Sequence, residues 1–237
     1  MGGSKWGSRV LGIAFLFQFV TSVISGVIVK PALVVPEDAV ETMVRIAGNP
    51  GLMRSYILLD MLTALGIVFL GVMLYITLRK AGERMALVGL GFYILEGALL
   101  GASKLQSYTL LRASELYVPL GRPEYLRTLA KLALESSEFV GFTLHMLVFC
   151  VGAALFYYLM TRSRVVPRWL SLWGLISLTP LVVATVLSIM GVAVPDGLAA
   201  LAIPYFPFEL AIGVWVAVKG VADPEVSAIG VRAARAA

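Results

Sequence analysis

Residues 144–176 read LHMLVFCVGAALFYYLMTRSRVVPRWLSLWGLI, two apolar runs joined by a tight basic turn at 161–166. Neither run carries the polar stripe, recurring every 3.6 residues, that a helix on the surface of a soluble domain needs. A backbone surrounded by hydrocarbon must satisfy its amides internally, so runs of this kind are helices. Each is long enough to cross ~30 Å of hydrocarbon at about 1.5 Å per residue.

The same pattern recurs along the chain, with apolar runs at 8–29, 54–78, 85–111, 137–160, 167–191 and 199–219. Of the 237 residues, 59% are hydrophobic and 14% charged, against roughly 25% charged in ordinary soluble domains. Mean hydropathy is +0.92. The expected fold is an all-α, polytopic membrane bundle of about six transmembrane helices. Residues 1–222 are expected to form a single bundle and 223–237 a flexible cytoplasmic tail. Lys5 and Arg9 precede a run too long for a cleaved signal, so the first helix is expected to be retained.

Charge orients the bundle. Lys and Arg flanking the runs divide 11 to 8 in favour of the side holding the N-terminus, which is therefore expected inside, together with the C-terminus. The inside connections are short and basic, whereas the outside ones mix in Glu37, Asp38, Glu41, Glu115, Glu124 and Glu135. Trp6, Tyr157, Tyr158, Trp169, Trp173 and Trp215 then fall at the inner interface as an aromatic belt. The net charge of +5 does not point to nucleic acid, because the basic residues cap apolar runs instead of forming a stripe with interleaved aromatics. A single cysteine, Cys150, excludes an intrachain disulfide and reads as a small core residue. The expected location is the inner (cytoplasmic) membrane of the cell, crossed several times, with the lipid bilayer as partner; a homo-oligomer is compatible with the sequence.

Two outside connections are long, and each holds an amphipathic segment. Residues 37–47 place Val40, Met43, Val44 and Ala47 on one face, ending at Gly48-Asn49-Pro50; Pro123 opens a second, with Leu126, Leu129, Ala130 and Ala133 at the same spacing. Each is either a connector packed on helix ends or a lid over a cavity.

Ionisable groups inside spans cost at least ~2.5 to 3.5 kcal/mol each, so each requires an account. Asp60, Glu96, Lys104, Glu138, His145 and Glu209 all fall in the middle or outer half of the expected bundle. Asp60 could cap Thr63 or Ser55, Lys104 could snorkel to the outer surface, and Glu138 could sit at a helix start capped by Ser136. Glu96, His145 and Glu209 lie too deep for such accounts. They are the expected catalytic proton donors and acceptors, in one pocket with Gln18, Asp60, Lys104, Glu138 and Tyr205 as substrate-binding residues. Gly97 and Gly101 would admit a close helix beside Glu96, and Pro204 and Pro207 would disturb the backbone before Glu209. No cofactor is expected; a metal held by Glu96, His145 and Glu209 would be iron or manganese before structural zinc. No phosphate loop, dinucleotide fingerprint or serine elbow occurs.

The stretches GFYILEGALL at 91–100, residues 144–176 and PFELAIGVWVAVKG at 207–220 resemble the bacterial membrane proteins grouped as domain of unknown function 4386. The resemblance implies a multi-helix inner-membrane protein and places Glu96, His145 and Glu209 within its recognisable segments. It implies no activity. Three functions are compatible with the residues: binding, with or without processing, of an amphiphilic or apolar small molecule; proton- or ion-coupled transport; or a structural or regulatory membrane subunit.

Overall fold

A computed structural model describes residues 5–222, and the expected tail at 223–237 lies outside them. Among the described residues the chain is all-helical, without strands. Helix α1 (Lys5–Val23) continues through a π-helical turn (Ile24–Val29) into α2 (Lys30–Leu33). Then come α3 (Ala39–Gly48), α4 (Pro50–Tyr117) and α5 (Glu124–Glu138), which passes through a second π-helical turn (Phe139–Leu144) into α6 (His145–Ser163). Helices α7 (Arg168–Ile189), α8 (Asp196–Ala202) and α9 (Tyr205–Lys219) complete the chain. Five helical stretches are long and apolar enough to cross a membrane. Their outward faces carry bare hydrophobics, among them Leu105 at 70%, Ile176 at 69% and Val218 at 69% exposure, which suit lipid and would aggregate in water.

The 68 residues of α4 would span about 100 Å as one rod, three times the hydrocarbon thickness. The rod is broken at Gly82, which is extended (φ 174°, ψ 86°). Side-chain pairing shows that the arms fold back on each other there. Gly71 packs against Tyr93, each eleven residues from Gly82, and Asp60 meets Lys104, each twenty-two residues from it.

The chain divides into two compact units, one of residues 1–17, 66–96 and 146–237, the other of 18–65 and 97–145. In the first, small residues let helices touch. A Cβ on Gly12 would lie 2.2 Å from the Ala217 backbone nitrogen, and one on Gly174 would lie 2.4 Å from the Phe208 ring. Around these contacts stand edge-on aromatic pairs, Tyr93 with Phe156 at 5.2 Å and Tyr157 with Phe208 at 5.1 Å. Tyr157, expected in an interfacial belt, is instead fully buried and shares a 2.9 Å hydroxyl contact with Tyr205. Trp169, Trp173 and Trp215 do cluster, at centroid distances of 6.5 and 6.1 Å.

In the second unit both amphipathic segments are helices, and they pack on each other. Asp38 caps α3 by accepting from the Glu41 amide at 2.9 Å. The buried face of α3 is Thr42, Met43 and Ile46, while Val44 points outward, a shift of one position from the expected face. On α5, Leu126, Ala130 and Ala133 are buried as expected and Leu129 is exposed. These faces join Leu33, Met53, Leu110 and Leu111 in one apolar cluster, on which α3 and α5 pack. At Gly101, expected at a close helix crossing, a Cβ would meet the Met61 side chain at ordinary contact distances of 3.7 and 3.9 Å.

Gly12→Leu is expected to destabilise the protein by about 1–3 kcal/mol or more, because a backbone cannot yield as a side chain can. Gly91, where a Cβ meets nothing within 4 Å, is the control: Gly91→Ala should be neutral or stabilising by up to about 1 kcal/mol. Thermal unfolding in detergent measures both.

Candidate functional site

The second unit buries an ion pair. Asp60 and Lys104, from the two arms of α4, meet at 2.5 Å with their residues only 8% and 5% exposed. The lysine also contacts the Tyr56 hydroxyl at 3.2 Å and lies 4.5 Å from that ring's centroid. Tyr56 precedes Asp60 by one helical turn, so both project from one face of α4. The second carboxylate oxygen of Asp60 accepts from Ser25 of the first π-helical turn. Both charges are thus matched by opposite charge and by hydrogen bonds, which a low-dielectric interior demands.

A second ion pair lies near the first. Lys30 and Glu138 meet at 2.6 Å with side chains 29% and 41% exposed, and both are within electrostatic reach of Lys104. Lys30 directly follows one π-helical turn and Glu138 directly precedes the other. Such turns widen a helix by one residue and re-aim its side chains, and they recur at functional sites. The second π-helical turn packs closely: a Cβ on Gly141 would lie 2.5 Å from Ser103 Oγ. Hydroxyl pairs complete the polar seam, Thr63 with Thr21 at 2.8 Å and Ser107 with Ser137 at 3.0 Å.

Beside Lys30 an open cleft of about 380 Å³ is lined by Gly26, Lys30, Pro31, Val34, Val35, Pro36 and Arg45. Its wall is fixed, because the buried Thr42 hydroxyl takes the Val35 amide at 2.9 Å and returns a bond to the Val35 carbonyl at 3.3 Å. Arg45 pairs with Glu41 through Nε at 2.9 Å. The lining joins two cations to an apolar wall.

Among the residues expected to bind substrate, Asp60, Lys104 and Glu138 therefore share this cluster. Lys104 does not snorkel, since its partner Asp60 is buried with it. Asp60 caps neither threonine nor serine: Thr63 bonds the Leu59 carbonyl and Ser55 the Gly51 carbonyl. Glu138 is not at a helix start, because the helix runs on from Glu124 to Ser163. Gln18 opens the same unit, half-buried, and its carbonyl accepts from Thr21 at 3.1 Å. Tyr205 belongs to the other unit, against Tyr157.

Of the expected catalytic residues, Glu96 (3% exposed) and half-buried Glu209 belong to one unit, where Tyr93 and Tyr157 each interact electrostatically with both. Pro204 starts α9 as its N-cap, and Pro207 fits into the first turn, where its missing amide costs nothing. Half-buried His145 is the last residue of the second unit. Among the described residues no three His, Cys, Asp or Glu side chains gather as a metal would require.

Ser25, Lys30, Arg45 and Tyr56 were not among the expected site residues. Lys30 and Arg45 count in the sequence only among the flanking charges that orient the bundle. Tyr56 was legible from its four-residue spacing to Asp60, and the Lys104 pairing from equal counts either side of Gly82. The π-helical turn that brings in Ser25 has no sequence signal.

Removing one partner of the buried pair, by Asp60→Leu or Lys104→Met, should cost about 3–5 kcal/mol, and the double variant should recover most of it because no lone charge remains. A double-mutant cycle of thermal unfolding measures this. Glu138→Gln, at a half-exposed pair, should cost under about 1 kcal/mol.

No curated protein and no solved structure matches the chain. The family model for a domain of unknown function, DUF4386, matches residues 10–220 and so takes in both units, the Asp60–Lys104 pair and the cleft. With its apolar helices, this chain is a multi-pass membrane protein belonging to the DUF4386 family.

Proposed function

We propose that the protein crosses the bacterial cytoplasmic membrane six times, with both ends in the cytoplasm, and binds an amphiphilic small molecule through the second unit. The fold-back of α4 at Gly82 supports the count, since its arms then supply the second and third crossings. The Lys and Arg asymmetry supports the orientation, on which the second unit belongs to the outward halves of the first four crossings. With Cys150→Ala as background, a cysteine at Gly121 should react with a membrane-impermeant maleimide in intact cells and one at Glu83 should not. The reverse pattern would invert the topology.

The observation that carries the binding reading is the cleft beside Lys30, cationic on one side and apolar on the other, with the buried Asp60–Lys104 pair nearby in the same unit. An ion pair buried in an apolar surround is seldom worth more than apolar packing of the same volume, so stability alone is a poor reason for it. Ionisable groups retained between membrane helices mark functional sites. In a second reading, Glu96, His145 and Glu209 load and release protons for a carrier. The second is favoured only by the Glu96, Glu209, Tyr93 and Tyr157 neighbourhood.

Purified full-length protein, incubated with lipid and isoprenoid pools, should retain one amphiphile class that mass spectrometry identifies. Neither retention nor conversion of any class would overturn the binding reading. Uptake into vesicles that follows a proton gradient would select the carrier.

A further inference from the structure

The cleft identifies its ligand more narrowly than as an amphiphile. Lys30 has three N–H donors and Arg45 five. The pairs Lys30–Glu138 and Arg45–Glu41 engage the lysine once and the arginine through Nε alone. Both cations line one cleft, and no carboxylate residue stands among its lining. Resting on the binding reading above, we propose that Lys30 and Arg45 together grip the phosphate of a phospholipid-like head group, whose first tail carbons lie against Pro31, Val34, Val35 and Pro36.

Chemistry favours phosphate over a neutral polar head. Several oxygens around one centre can accept from an ammonium and a guanidinium at once, and charge-assisted bonds are about twice as strong as neutral ones. The planar arginine supplies paired donors and the lysine a compact charge. Neither cation need leave its carboxylate: both ion pairs are half-exposed and stay in place while the spare donors turn to the ligand. Glu41 and Glu138 then offset the cations, so the site suits a singly charged phosphodiester better than a highly charged free phosphate. The volume of about 380 Å³ holds a head group and the first carbons only, leaving the tails to the bilayer. The wall is held by Thr42 before any ligand arrives, which lowers the ordering cost of binding. Lys104 takes no direct part, since it is buried on Asp60 and Tyr56.

The test uses the full chain in a neutral detergent, with phosphatidylglycerol, phosphatidylcholine, diacylglycerol and inorganic phosphate as probes and native mass spectrometry or ligand-dependent thermal shift as readout. Phosphatidylglycerol should bind saturably, diacylglycerol at least tenfold more weakly, and inorganic phosphate should compete only weakly. Lys30→Gln with Arg45→Gln should reduce phosphatidylglycerol affinity tenfold or more without changing the unliganded unfolding temperature by more than a few degrees. Gly26→Leu adds bulk at a lining residue of the cleft, where a Cβ meets nothing within 4 Å, and should weaken binding with both cations intact. Equal binding of diacylglycerol, unaffected by the Lys30 and Arg45 changes, would overturn the phosphate assignment and leave the amphiphile reading standing. Binding of phosphatidylcholine as tightly as phosphatidylglycerol would support phosphate recognition, which both share. Inorganic phosphate binding as tightly as the lipids would overturn the lipid source. No binding by any probe would overturn the phospholipid assignment, while the amphiphile reading would still stand or fall on retention from the lipid and isoprenoid pools.

Discussion

A charge that cannot reach water must find its opposite, and between the two arms of α4 that rule acts through the Asp60–Lys104 pair. The two residues stand on opposite arms of α4, so their contact fixes how far one arm is slid along the other. A slip of one residue would rotate each side chain by about 100° and separate the pair. Leaving either charge alone costs several kcal/mol, comparable with a large part of the stability of a whole domain. Tyr56 and Ser25 then follow, as the groups that use the remaining hydrogen-bonding capacity of the pair.

Outside that centre the demand relaxes by degrees. Lys30–Glu138 is half-exposed and Arg45–Glu41 more so, and exposed pairs of this kind contribute at most about 1 kcal/mol. The second unit thus grades from a fixed polar centre to a border where cations keep spare donors. A rigid wall beside cations that need not be freed from a strong bond is what a pre-organised anion site requires. The other unit is built differently: it gains its cohesion from tyrosine, phenylalanine and tryptophan edges packed over glycines, with Glu96 among them.

Much of the fold was legible because lipid is a simple solvent. Apolar length, proline and glycine positions and the basic turns located nearly every helix, including the two amphipathic ones, and the stretches around Glu96, His145 and Glu209 carried the family resemblance. The site was less legible. Depth along a span can be counted from sequence, but azimuth cannot, and azimuth decides who meets whom. Lys104 was expected to reach for the surface, since snorkelling costs least when no partner is known. Tyr157 was expected at an interface and is core, because its hydroxyl finds Tyr205 inside.

The sequence by itself determined that the chain is helical and membrane-crossing, since long unbroken apolar runs, without the alternation of barrel strands, satisfy their backbone in hydrocarbon as helices. It also bounded the candidate chemistry to a handful of ionisable residues within or beside the apolar runs. Only the tertiary structure decided their partners: Asp60 with Lys104, Lys30 with Glu138, Glu96 and Glu209 near the same tyrosines. The reason is geometric. Two π-helical turns each shift a helix face by one residue, and hydrophobicity, which is non-directional, records neither the shift nor the side chain it brings round.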